Sequence, residues 1–384
     1  MAETTGIGLR AGFQREAIVT APTWPAVSAA ALTALLPLLD FQPNDGIEKS
    51  GYATVASGLG LAGFDVIHAM PTATPALKAT YQGLEAFWAC TMGHMAKRIG
   101  AIVFPEVLAT GVYRHLLEQD ATLGATAEWT LGDGFQLGTE LLLGQRKVRR
   151  GTFAVDMQMS VWEWLSSMIQ AATLQAEPGG VTLTVELASH SLNRTSVVNT
   201  SVTIGKLLPS TAPGILFSDL AFRLAPYSAG TPLGSGDVQR CTSWTLRLEN
   251  NLEASPGPRT ATAPEEYARA PANTLRVTVT FVDPRHTADT WQTRWGLNTI
   301  LMADAKFTSE RLVAAGQPYR LNVYLPSCQV TNAQLNVAGA QLPSDTVQLV
   351  GILPAAAAAG MPTMSRLGSC AIEVVSGLAT HPLL

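Results

Sequence analysis

The six histidines, His68, His94, His115, His190, His286 and His381, are spread along the whole chain, without the i, i+4 or short-loop spacing that metal sites use. His94 falls on an expected helix and reads as a packed or capping residue. Cys90, Cys241, Cys328 and Cys370 are equally dispersed, with no Cys-x-x-Cys. They give neither a zinc knuckle nor a disulfide framework and are expected to be buried free thiols of a reducing compartment. Gly58-Leu-Gly-Leu-Ala-Gly63 has the Gly-x-Gly-x-x-Gly spacing, but a dinucleotide site also needs an apolar strand before it, a helix after it and an acid about 20 residues on. Here the polar Lys49-Ser-Gly-Tyr-Ala-Thr54 precedes and the strand-like Phe64-Asp-Val-Ile-His-Ala-Met-Pro71 follows, so the glycines read as flexible backbone. Asp156 with Glu163, or Asp283 with Asp289, could be acid pairs for glycoside chemistry. They fall at expected strand ends and helix starts, where capping is the better account, and no aromatic platform clusters beside them. Arg146-Lys-Val-Arg-Arg150 is the one basic run and reads as a solvated strand edge or an inter-subunit ion-pair site. No nucleophile with its base, metal set or phosphate loop emerges. The expectation is a protein that is not an enzyme, with no cofactor and no metal.

The 384 residues are 47% hydrophobic and only 14% charged, with 33 Gly, 23 Pro and a formal net charge of −4. Length allows two domains or one large β domain. Disorder is excluded, because disordered chains are more charged and less apolar. The balance of 25 Lys and Arg against 29 Asp and Glu excludes a basic nucleic-acid binder. A chain with so few charges must cover neutral surface, and the simplest cover is another copy of itself. Residues 17–39 carry no charge, but Pro22, Pro25 and Pro37 interrupt them and Glu3 and Glu16 spoil a positive leader. No spanning helix or signal core is expected, and the chain reads as soluble and made in the cytoplasm. The sequons at Asn193 and Asn199 are then polar turns.

Around these residues the sequence predicts a mainly β protein with a few short helices. Residues 1–80, rich in Gly, Pro, Thr and Ala, read as an extended arm and irregular wrapping segment in which only 26–39 could be helical. Residues 84–98 have helical spacing, with Lys97 and Arg98 in the last turn and Gly100 beyond. Strands are expected over 113–118, 129–131, 151–159, 181–188, 201–207 and 215–224, then over 243–249, 275–282, 299–307, 319–325 and 347–353. The Gly/Pro-rich residues 226–236 form the natural boundary between a first β domain (81–230) and a second (231–384). Glu128-Trp-Thr-Leu131 is matched by Ser243-Trp-Thr-Leu246, and each half then leads through a loop and a strand to a tryptophan pair, Trp162/Trp164 and Trp291/Trp295, on an expected short helix. This is a weak internal duplication. The loop over 250–272 carries Pro256, Pro258, Pro264 and Pro271 with Glu253, Glu265 and Glu266, too long for a tight hairpin and suited to ordering by a partner.

Several of these pieces, in order along the chain, resemble the tail tube (major tail) protein of long-tailed bacteriophages. They are the opening Gly6-Ile-Gly-Leu-Arg-Ala-Gly-Phe-Gln-Arg-Glu-Ala-Ile-Val-Thr-Ala-Pro22, then Tyr113-Arg-His-Leu-Leu-Glu118 followed by Glu128-Trp-Thr-Leu131. A late hairpin follows, Trp244-Thr-Leu-Arg-Leu-Glu-Asn-Asn-Leu-Glu253 with Leu275-Arg-Val-Thr-Val-Thr-Phe281, and last Tyr319-Arg-Leu-Asn-Val-Tyr-Leu-Pro326. The resemblance implies β-sandwich or β-barrel subunits that close into rings, stacked into a virion tube through which DNA passes transiently and without specificity. It implies partners in the chain itself, the tape measure protein, the tail terminator and the distal tail proteins, with no membrane. Because single-domain members are about half this long, two tube-type domains per chain would give a ring of three chains with pseudo-sixfold symmetry, or else a hexamer with its extra domain outside. Inter-subunit or inter-ring contacts would then fall to Arg10, Arg15, Glu16, Arg146, Lys147, Arg149 and Arg150, and to Glu253, Glu265, Glu266, Tyr267 and Arg269 in the long loop. The alternative is a two-domain β-rich binding or adhesion module of a surface or virion protein.

Overall fold

Residues 181–188, Val-Thr-Leu-Thr-Val-Glu-Leu-Ala, alternate apolar and polar side chains, the pattern of a strand with one face on a core. In the computed structural model Val181, Leu183, Val185 and Leu187 are buried and Thr182, Thr184 and Glu186 are half-exposed. The same alternation marks Thr72–Lys78, Ser243–Glu249 and Ser344–Gly351. The structure describes residues 9–15, 29–45, 47–52, 63–95, 98–99, 102–119, 150–256, 264–269, 275–286, 288–337, 342–364 and 368–379.

Five strands come first: β1 (Arg10–Arg15), β2 (Leu38–Asn44), β3 (Ile47–Tyr52), β4 (Gly63–Ala69) and β5 (Thr72–Lys78). Helix α1 (Glu85–Met92) leads into β6 (Gly93–Met95), β7 (Arg98–Ile99), β8 (Ile102–Val103), β9 (Glu106–Ala109) and β10 (Val112–Gln119). Then follow β11 (Gly151–Asp156), the long β12 (Val161–Glu177), β13 (Gly180–Ala188), β14 (Ser191–Asn193), helix α2 (Ser201–Gly205) and β15 (Leu220–Pro226). The rest is β16 (Ser243–Glu249), β17 (Leu252–Pro256), β18 (Pro264–Arg269), β19 (Arg276–Asp283), helix α3 (Thr290–Gly296), β20 (Ile300–Ala314), β21 (Gln317–Asn336), β22 (Ser344–Gly351) and β23 (Ala371–Ser376).

Seventeen of these strands join in one antiparallel network, and β3–β4, β7–β8 and β17–β18 form separate two-stranded ribbons. Two long strands organise the network by changing partners along their length. β12 pairs with β11 and β14 through its first half and with β13 and β16 through its second. β21 pairs with β20, and on its other edge with β23 through residues 320–324 and with β22 through residues 328–336. The pairings β12–β16, β15–β20 and β10–β23 cross the 226–236 boundary. A single core cluster runs from Ala11 to Val374. Its aromatic side chains interlock: Trp244 meets Phe307 edge-on at 5.6 Å, and Phe281 meets Phe222 at 5.0 Å and Trp291 of α3 at 5.3 Å, distances at which ring quadrupoles attract.

Several sequence expectations are corrected. Where described, residues 1–80 are not an irregular arm, because β1, β2 and β5 belong to the main sheet, and residues 29–39 form no helix. Residues 201–205 are helical, not extended, since Thr200 and Thr203 form a reciprocal capping box, with Thr203 N donating to Thr200 Oγ1 at 3.2 Å and Thr200 N to Thr203 Oγ1 at 2.8 Å. Trp162 and Trp164 lie on β12 rather than on a helix, whereas Trp291 and Trp295 do lie on α3. The helix expected over 84–98 stops at Met92, where the chain turns into β6 to pair with residues 117–119. The expected strand over 129–131, and with it the first copy of the Trp-Thr-Leu repeat, lies outside the described residues.

Candidate functional site

Two regions hold the residues expected to make contacts between subunits. On β1, Arg10 is exposed and donates from Nη1 to the Gly205 carbonyl at the end of α2, at 2.9 Å. β1 pairs with β11 from Arg10 opposite Asp156 to Arg15 opposite Gly151, which sets the Arg15 backbone beside the half-buried Arg150. Among the described residues the other edge of β1 meets only one bridge, Ala11 with Leu36. Glu16, Arg146, Lys147 and Arg149 lie outside the described residues. Beside this edge, Asp156 Oδ1 accepts from Ser201 Oγ at 2.9 Å and ties the β11–β12 turn to α2. Met159, Val197, Val202 and Leu208, in that turn and around α2, are between 67% and 98% exposed.

The second region is the expected loop, which contains a hairpin. β16 and β19 pair down to Glu249 opposite Arg276, and residues 250–275 leave between them. Asn250 is buried; its N–H donates to Gln170 O at 2.8 Å and its side chain to Ile169 O at 2.7 Å, fixing the exit point at the bulge in β12. Asn251 then adopts φ of 47°, a left-handed turn that asparagine tolerates better than other side-chain-bearing residues. Leu252 packs on Met168 and Ala188. In the β17–β18 ribbon Leu252 lies opposite Arg269, Glu253 opposite Ala268, Ala254 opposite Tyr267 and Ser255 opposite Glu266, with a register shift next to Glu265. The structure thus gathers all five loop candidates on one ribbon.

The carboxylates considered for acid–base chemistry are engaged structurally. Asp156 also accepts from Gln158 N at 2.9 Å, and Asp283 from Trp291 Nε1 at 3.1 Å. Asp289 stands at the N-cap of α3 without a capping hydrogen bond, 3.5 Å from His286. Glu163 is fully buried and accepts from Asn193 at 3.0 Å and Asn199 at 2.7 Å. Among the described residues no group of three or more His, Cys, Asp or Glu could hold a metal. All four cysteines are free. Burial pushes the Cys328 and Cys370 thiols up to about 12, and burial with the nearby Asp283 pushes Cys241 up to about 11, so the reactive thiolate is scarce at neutral pH.

One buried acid titrates against the fold. Glu85 accepts from Gly83 N at 2.6 Å and from Ser376 Oγ at 3.2 Å. Burial nevertheless raises its pKa, opposed by these and other hydrogen bonds. The folded chain therefore holds this proton more tightly than the unfolded chain, and its contribution to stability falls as pH rises above the ordinary carboxylate range. Glu85→Gln keeps both contacts, with the amide oxygen accepting from Gly83 and the amide nitrogen donating to Ser376. Its stability relative to the parent, measured by urea unfolding, is expected to rise as pH rises above the ordinary carboxylate range; a flat difference would refute the assignment.

Sequence reasoning missed a polar cleft of about 480 Å³ lined by residues of β10, β20, β21 and β23. Arg114, Lys306, Arg320, Asn322 and Glu373 form its floor and Met361 and Pro362 one wall. Arg114 is held in an ion pair with Glu106 and lies 3.6 Å from Glu373. The available signal was the alternation of Arg320, Asn322 and Tyr324 with the apolar Leu321, Val323 and Leu325. No protein-family model matches the chain, and no curated protein matches it. Among the described residues no helix is long and apolar enough to cross a membrane.

Proposed function

We propose that the chain is a structural virion subunit that assembles with copies of itself into stacked rings forming a phage tail tube, a conduit for DNA. The observation that carries this reading is the apolar surface of Met159, Val197, Val202 and Leu208 beside the sparsely paired edge of β1. Large exposed apolar side chains on the elements flanking a sheet edge are a liability in a monomer and suit an interface in a closed ring. In this reading β1 and α2 close the ring sideways, and the β17–β18 ribbon, outside the main sheet, reaches the next ring. A chain of this length would complete a pseudo-sixfold ring with three copies, each contributing one continuous sheet in place of two separate units. The low charge supports the reading twice: neutral surface is buried against neighbours, and a mildly acidic chain does not hold passing phosphate.

Negative-stain microscopy of the purified protein is expected to show rings or tubes. Val202→Asp with Leu208→Asp should leave a folded monomer that no longer closes rings, and deletion of residues 253–269 should leave rings that no longer stack. A protein that stays monomeric at every concentration and salt tested would overturn the reading; unaltered stacking after the deletion would remove the ribbon from it.

A further inference from the structure

In the β20–β21 pair Lys306 lies opposite Asn322 and Thr308 opposite Arg320. Residues two apart on a strand share a face, so the four side chains make a quadrilateral with the two cations on its diagonal, within about 7–8 Å of each other. Three of its corners, Lys306, Thr308 and Arg320, present hydrogen-bond donors, and two of the three are cations. Asp304 is engaged by Arg223 through both oxygens and stands 3.5 Å from Lys306. Arg320 pairs through its backbone with Thr308 and Val375, and among the described residues its side chain makes no ion pair or hydrogen bond. Arg114, by contrast, is shared between Glu106 and Glu373. The fourth corner, Asn322, is 4% exposed and its Oδ1 has no hydrogen-bond partner. Beyond Arg114, Pro362 and Glu373 the cleft continues into a second hollow of about 230 Å³, lined by Ile102, Phe104 and Leu116.

We propose that this cleft binds a small organic carboxylate with an apolar body. The carboxylate sits between Lys306, Arg320 and Thr308, where charge-assisted hydrogen bonds are strongest. The body lies along Met361 and Pro362 toward Phe104 and Leu116. A monoanion fits better than inorganic phosphate, because Glu373 repels a second negative charge and the apolar hollow leaves phosphate nothing to contact. The site lies within one chain and does not depend on ring formation.

Calorimetric titration of the full chain with phenylacetate tests this, with benzyl alcohol as the uncharged apolar control and inorganic phosphate as the competing anion. Saturable binding of phenylacetate alone is expected, about tenfold or more weaker in Lys306→Gln/Arg320→Gln and weaker in Thr308→Ala. Circular dichroism of each variant checks folding, and the single variants Lys306→Gln and Arg320→Gln serve if the double variant does not fold. No saturable binding of phenylacetate, equal binding of phosphate, or binding unchanged when both cations are removed would each overturn the proposal.

Discussion

Asn199→Leu is expected to destabilise the fold by about 3–5 kcal/mol, in the range for stranding a buried charge. Asn199 is 2% exposed and joins three separate parts of the chain. Its Nδ2 donates to Glu163 Oε1 at 2.7 Å and to the Ala30 carbonyl at 2.9 Å, and its Oδ1 accepts from Leu32 N at 2.8 Å. Leucine fills the volume but removes every one of these bonds. Glu163, with no exposure at all, keeps only Asn193, and the Leu32 N–H and Ala30 C=O lose their side-chain partner, each costing about 1–3 kcal/mol where it stays dry. The damage spreads because the Ala30–Leu32 segment also covers β1: a Cβ on Gly12 would come within 2.7 Å of Leu32 Cδ1. Loss of this latch should loosen β1, which the assembly reading needs in place. Urea unfolding of Asn199→Leu, Glu163→Leu and the double variant checks the account. The double variant should cost less than the two single losses added, because it removes the stranded charge as well. A single variant within 1 kcal/mol of the parent would show that water reaches Glu163.

Much of the sheet was legible because period-two alternation is a local signal. Residues 181–188, 243–249 and 275–282 announce which face meets the core without reference to any partner. The failures have physical causes. β5 reads Thr-Ala-Thr-Pro-Ala-Leu-Lys; its buried residues are Ala73, Pro75 and Leu77, of which only Leu77 is a large aliphatic, and a proline argues against a strand paired on both sides. The chain resolves this by interrupting the β5–β13 ladder at Thr74 and Pro75 while Pro75 sits opposite Phe41 of β2. At 201–205 the β-branched residues suggested a strand, but the threonines flanking the first turn cap a helix whose one buried side chain, Ile204, anchors it. Trp162 and Trp164 looked helical as a pair, yet spacing by two is strand spacing, with Trp164 fully buried and Trp162 half-exposed. The ribbon that gathers Glu253 to Arg269 was visible as a long loop but not as paired strands, since its prolines mask the alternation. Of the cleft only the 320–325 alternation was local, because Arg114, Lys306, Arg320 and Glu373 are neighbours only through the β10–β23–β21–β20 pairings.

Arg223→Met should cost a similar amount, about 3–5 kcal/mol, while Arg223→Met combined with Asp304→Leu should cost far less. The two residues are directly opposed in the β15–β20 pair. Arg223 Nε donates to Asp304 Oδ1 at 2.8 Å, Nη2 to Oδ2 at 2.5 Å, and Nη1 to the Leu233 carbonyl at 2.9 Å. This fork holds the guanidinium pKa above its ordinary value, chiefly through the hydrogen bonds to Asp304. Asp304 is only 2% exposed, so a single replacement leaves a carboxylate in the sheet with Lys306, 3.5 Å away, as its one remaining cation. The double replacement leaves no charge to solvate, and apolar side chains there can pack against Met302 and Leu233, which already form a small cluster with Ala358. The bond to Leu233 separates two further effects. It ties the turn after β15 to the sheet, so both variants should loosen residues 227–236 toward limited proteolysis, but only the single variant should lose several kcal/mol in urea. If single and double variants fall equally, the turn and not the ion pair holds this part of the sheet; if the single variant falls by less than 1 kcal/mol, Lys306 alone suffices to neutralise Asp304.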